Sequence, residues 1–188
     1  LSLASVFVAT DFDGDSIIID AGATVTIEND VPGQNTATVN ISVDEDELTG
    51  LSTGITDGAD GETTVASFTG AQIAGLVASG ADEPVKVSFN AAIGGVDTGL
   101  DSKGFNILFD YIDATHINGV ADGRTVFTLV QTAGADTFLG TADDVFTFTL
   151  LDQVDHTPLA TGGGDDENIV LSLASVFVAT DFDGDSII

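Results

Sequence analysis

The sequence predicts an all-β protein built as an antiparallel β-sandwich, and three observations carry that expectation. Short stretches in which apolar and polar residues alternate recur along the 188 residues, among them Thr36 to Val43, Phe105 to Tyr111, Thr125 to Gln131 and Val145 to Leu151. Glycine- and aspartate-rich connections separate them and leave almost no helical period. Twelve Phe, against one Tyr and no Trp, supply the bulky apolar filling that two facing sheets need.

The chain also repeats itself. Residues 1–18 read LSLASVFVATDFDGDSII and residues 171–188 read the same letters; 171 minus 1 gives a period of 170, the mark of a tandem array. In chain order, the apolar residues 1–9 predict a strand, Asp11 to Ser16 a loop, and Ile17 to Ile27 a second strand. Glu28 to Gly33 gathers turn formers with Pro32, which cannot donate to a ladder, so a domain should end there. Residues 1–34 are then the C-terminal strands and linker of the preceding repeat, and residues 35–188 the sandwich module. Thr36 to Val43 is expected as its first strand. Ile73, Leu76 and Val77 fall at helical spacing, which allows one short helix between Thr69 and Glu83. Val85 to Phe89 resumes the strand pattern, and Gly162 to Glu167 forms an acidic loop before the repeated opening. The copy of Ala23 to Ile27 that would close the module is either missing from this chain or replaced by residues 17–30.

Charge excludes several functions. The net charge is -28, and Lys86, Lys103 and Arg124 are the only basic residues. Phosphate backbones and anionic lipid surfaces are repelled, so neither nucleic acid nor a membrane surface is an expected partner. No run reaches the roughly 18 apolar residues of a spanning helix, so no direct membrane insertion is expected. With no cysteine, neither disulfides nor thiolate metal sites are available. A chain 43% hydrophobic that repels itself this strongly calls for a cation.

Calcium takes six to eight oxygen ligands at loose geometry, which closely spaced Asp side chains in a Gly-containing turn supply. Four stretches qualify. Asp11, Asp13 and Asp15 surround Gly14, and Asp181, Asp183 and Asp185 repeat them. This is no EF-hand, because the glycine is fourth in the loop and the twelfth residue is Gly22. Asp136 and the pair Asp143 and Asp144 bracket a tight glycine turn. Asp57 and Asp60 share another, where ordinary Asx turns compete as an explanation. At the junction, Glu28 and Asp30 precede Pro32, and the run Asp44, Glu45, Asp46, Glu47 follows one strand later. An ion held there would fix the angle between neighbouring modules, and the run resembles the acidic inter-domain linkers of cadherins.

Enzymatic signatures are thin. His116 and His156 are the only imidazoles, and no Gly-x-Ser-x-Gly elbow accompanies them. Among 31 acidic residues nothing selects the carboxylate pair of a glycosidase.

Several phrases together resemble the large repetitive adhesins of Gram-negative bacteria exported by type I secretion, the RTX adhesins. They are Val-Asp-Glu-Asp-Glu-Leu at Val43 to Leu48, Gly58 to Gly61, Phe-Thr-Leu-Leu-Asp-Gln-Val-Asp-His at Phe148 to His156, and Ala179 to Ser186 followed in the first copy by Val25 to Pro32. The resemblance implies an Ig-like extender module holding several Ca2+ ions, strung in a stalk that carries a ligand-binding tip away from the cell for attachment and biofilm formation. It assigns metal binding to Asp181, Asp183, Asp185 and their first copies. A 170-residue period is long for such an extender and leaves room for inserted strands or a module shared between neighbours.

The expected role is thus a calcium-stabilised extender at the bacterial cell surface, not an enzyme. Its partners would be neighbouring repeats of the same chain, with no small-molecule substrate. The alternative is a calcium-dependent module binding carbohydrate or another surface, for which a chain with no Trp and one Tyr, Tyr111, is poorly equipped to build an exposed aromatic platform.

Overall fold

The chain divides into two units, Leu1–Asp30 and Val31–Ile188, and the computed structural model describes residues 2–19, 24–48, 63–81, 83–156 and 168–188. The first unit is a hairpin. β1 (Phe7–Thr10) and β2 (Ser16–Ile19) pair antiparallel from Phe7 opposite Ile19 to Thr10 opposite Ser16, and an isolated bridge joins Ser2 to Thr24.

In the second unit β3 (Gly33–Gln34) is followed by β4 (Val65–Thr69) and a single helical turn, α1 (Gly70–Ala74). That turn lies inside the stretch where helical spacing allowed one. Thr69 starts it with a reciprocal cap, its hydroxyl accepting from the Gln72 N–H at 3.2 Å while Gln72 Oε1 accepts from the Thr69 N–H at 2.8 Å. β5 (Val77–Ala78) pairs with β3. Then come β6 (Lys86–Phe89), β7 (Asp97–Ser102), β8 (Phe105–Asp113), β9 (His116–Ala121), β10 (Arg124–Thr132) and β11 (Val145–Leu150), and finally β12 (Phe177–Thr180) with β13 (Ser186–Ile187).

The main sheet is antiparallel, in the order β4-β11-β10-β9-β8-β7, and the smaller one runs β13-β12-β6. Two tight hairpins set the register of the main sheet. Lys103 with Gly104, and Asp122 with Gly123, all have positive φ, the backbone that a two-residue turn needs to match strand twist. Alternation then sorts the faces: Phe146, Phe148 and Leu150 of β11 are buried, while Val145, Thr147 and Thr149 are only half-buried.

Phenylalanine fills the space between the sheets. Phe68 and Phe146 of the main sheet meet Phe89 and Phe177 of the smaller one, with Phe146 to Phe177 at 5.4 Å and Phe89 to Phe146 at 5.6 Å between ring centroids. Phe109, Phe127 and Phe148 continue the stack along the main sheet. The fold is an all-β antiparallel sandwich, as its alternating stretches predict.

Two expected strands differ: of the one expected over Ile17 to Ile27, the described residues beyond β2 carry only the isolated bridge at Thr24, and Thr36 to Val43 forms none. Val39, Ile41 and Val43 do pack against the core, yet residues 35–44 belong to no strand ladder. Alternation encodes which face is buried; it does not encode a neighbour to pair with. Among the described residues no helix is long and apolar enough to cross a membrane.

Candidate metal centres

Each Asp-Phe-Asp-Gly-Asp loop closes a hairpin and is shaped by its own first aspartate. In the second copy the ladder ends where the hydroxyls of Thr180 and Ser186 meet at 2.8 Å, and the Asp181 N–H donates to the Asp185 carbonyl at 2.9 Å. Asp181 Oδ1 accepts from the N–H groups of Gly184 (3.0 Å) and Asp185 (2.8 Å). Gly184 sits at φ +105°, a backbone open only to glycine at low cost. The turn brings one carboxylate oxygen from each of Asp181, Asp183 and Asp185 within 4.8 Å of the others.

The first copy has the same internal geometry. The Asp11 N–H donates to the Asp15 carbonyl at 3.0 Å, and Asp11 Oδ1 accepts from Asp13 (3.2 Å) and Asp15 (3.0 Å). Asp11, Asp13 and Asp15 also converge within 4.8 Å. Surroundings distinguish the copies: all three acids of the first are exposed, whereas Asp181 is only 5% exposed.

That burial leaves Asp181 Oδ2 out of contact with water and without a hydrogen-bond donor. A buried acceptor with nothing to accept from costs free energy, and one facing two further carboxylates costs more. The strain reaches its neighbour. The carboxyl of Asp183 is pushed above its ordinary value, first by its hydrogen bond with Asp181, then by lost hydration and by the like charge of Asp181. In the exposed copy Asp11 lies below the ordinary value instead, chiefly through its bond with the Asp13 carboxyl and with backbone N–H groups assisting. A hard cation on Asp181, Asp183 and Asp185 would give the orphaned oxygen a partner and offset the like charges that face it. All three donors are oxygens, which suits calcium rather than a softer transition metal.

The Asp136 loop is built differently. Thr141 Oγ1 donates to Asp143 at 2.8 Å and to Asp144 at 3.2 Å, and the Asp136 N–H donates to Asp143 at 3.2 Å. Asp144 is fully buried and takes further bonds from Gln131 Nε2 (2.6 Å) and the Gly140 N–H (2.7 Å). Asp136 turns Oδ1 to the Phe138 N–H at 2.8 Å. Among the described residues these three acids form no group of three converging ligands. The protein's own donors already serve them.

Asp44 and Glu45 are likewise engaged. Asp44 Oδ1 accepts from the Asp46 N–H at 2.8 Å. Glu45 accepts from the Val154 N–H and lies 3.2 Å from His156 Nε2, so the two acidic phrases at Val43 to Leu48 and Phe148 to His156 are joined. Glu28 and Asp30 are exposed residues of the first unit. Asp57 and Asp60 lie outside the described residues.

Three acids that the sequence did not single out organise the main sheet. Asp155 caps the β7–β8 turn, accepting from the N–H groups of Lys103 (2.8 Å) and Gly104 (2.6 Å). Asp97 accepts from Gly99 and Asn106. Asp152 holds both Lys103 and Arg124. For Asp152 scarcity was the available signal, since two of the three basic residues gather on it, though nothing in the sequence says which acid they take. Comparison with protein-family models, with curated proteins and with solved structures finds no match to this chain.

Proposed function

We propose that this chain is one period, with the opening of the next, of a calcium-stabilised structural repeat, an extender in the stalk of a large bacterial surface adhesin that is secreted and works outside the cell. The observation that carries the reading is Asp181, a buried carboxylate with one oxygen unserved, converging with Asp183 and Asp185 in a stretch that recurs 170 residues earlier, from 171 minus 1. Repetition supports length as the purpose, and the oxygen cluster supports calcium as the stiffener. The absence of cysteine leaves the stapling of an exposed repeat to ions.

Calcium titration of the chain by calorimetry, with thermal melts in calcium and in chelator, tests it. Binding heat at millimolar calcium and a higher melting temperature are expected. A melting temperature indifferent to chelator would overturn the reading.

A further inference from the structure

We propose that the β1–β2 hairpin is a docking element whose receptor is the β6 edge of a second copy of this chain. The receptor is visible in use. In the second unit the identical hairpin, β12–β13, lies along β6 with Phe177 opposite Phe89, Val178 opposite Ser88, Ala179 opposite Val87 and Thr180 opposite Lys86. Asn90 fastens its entry: the backbone N–H donates to the Val176 carbonyl at 2.8 Å, and Nδ2 to the Ser175 carbonyl at 2.9 Å. Val176 is 0% exposed there, and Phe177 sits among the rings of Phe68, Phe89 and Phe146.

The first copy carries the same letters with that face open. Val6 is 60% exposed and Phe7 48%. Its shape is already the docked one. Ser5 and Ser175 both have φ 64°, Gly14 and Gly184 have φ 99° and 105°, and the hydroxyl pairs Thr10 with Ser16 and Thr180 with Ser186 both measure 2.8 Å. A preformed element loses little conformational freedom on binding, so identity of sequence and of backbone together place Phe7 opposite Phe89 and Val8 opposite Ser88 of the other copy. Each copy carries two such hairpins and one β6 edge, which its own β12 fills, so the unplaced hairpin of one copy meets the vacated edge of another in a heterologous, head-to-tail contact. In a tandem array the second copy is the preceding repeat, the one point at which the inference rests on the repeat reading. The docking itself needs no calcium.

In this chain β12 already occupies the edge, so the test must vacate it. The full chain carrying Val8→Cys and Ser88→Cys, with no native cysteine to interfere, is oxidised with and without Phe177→Asp, in chelator and in calcium. Expected are disulfide-linked multimers only when Phe177→Asp displaces the chain's own hairpin, and their loss on adding Phe7→Asp. Should Phe177→Asp prevent folding, refolding the Val8→Cys, Ser88→Cys chain from urea supplies the second measurement. The two identical hairpins then compete, and with an effective concentration of about 1 mM for the tethered one, about a tenth of the chains at about 0.1 mM protein should link in trans, rising with concentration. No multimer in either experiment, multimers that survive Phe7→Asp, or a bond between positions 8 and 88 of one chain would each overturn the proposal. The calcium reading is tested separately by titration, so the two fail independently.

Discussion

Lys103 Nζ lies 2.6 Å from Asp152 Oδ1, and Arg124 Nη1 holds the other oxygen of the same carboxylate. Arg124 also donates from Nη2 to the Ser102 carbonyl, so one buried acid ties the β7–β8 turn to the start of β10. Two of the three basic residues of a chain with net charge -28 are spent here.

Asp152→Asn should therefore destabilise the fold by about 2–3 kcal/mol, because two cations lose the charge that held them. Burial pushes the Asp152 carboxyl up, but the hydrogen bond from Lys103, the Gln153 N–H, the charge of Lys103 and the bond from Arg124 bring it below its ordinary value of 3.8. A depressed carboxyl contributes stability that is present above the unfolded value and is lost as pH falls through the folded one. Urea melts taken below pH 4 should thus show a shallower acid loss in the variant than in the parent.

Asp144→Ala should cost about 2–4 kcal/mol, since Gln131 Nε2 and the Gly140 N–H lose a buried acceptor. The cost should be the same in calcium and in chelator. Asp143→Ala, at an exposed position, should cost less. A calcium-dependent difference for either would make this loop a metal site.

The duplicated loops should respond unequally. With extracellular-type affinities of about 10⁻⁴ to 10⁻³ M, about 10 mM calcium adds about 1.4–2.7 kcal/mol per site, a rise of about 3–10 °C in melting temperature. Asp181→Asn should remove most of it and Asp11→Asn little, because only Asp181 is buried with an oxygen unserved. The pH sign follows from Asp183. Its carboxyl is raised in the metal-free fold, so that group favours the fold below its ordinary value and loses this contribution as pH rises through the raised one. Calcium displaces the proton. Affinity should then increase with pH across that window, with proton release measurable by calorimetry in buffers of different ionisation heat.

Gly119→Ala tests the packing of the main sheet. A methyl there would lie 2.1 Å from Phe127 Cε1, inside the ring that stacks on Phe148. Overpacking of this kind costs about 1–3 kcal/mol, read as an earlier denaturant midpoint with an unchanged slope.

Local features were the legible ones. The alternating Phe146, Phe148 and Leu150, the helical spacing after Thr69 and the Asp-x-Asp-Gly-Asp spacing each act within a few residues, and each appears in the structure at its own position. What escaped depends on partners far along the chain. Asp152 and Arg124 are 28 residues apart, Glu45 and Val154 109 apart, and no spacing rule links them. Asp97, Asp144 and Asp155 accept from backbone N–H groups at turns and loop ends, an employment that acid density in a sequence does not separate from ligation of a metal.

Two identical eighteen-residue stretches one period apart also bear on inheritance. If every hairpin fits every β6 edge, then joining any period to any later one leaves no mismatched seam. Whole periods could be lost or gained by recombination with the fold of the survivors untouched. Reach would then vary between lineages as a matter of copy number alone, a freedom that hairpins diverged to fit only their own edges would forfeit.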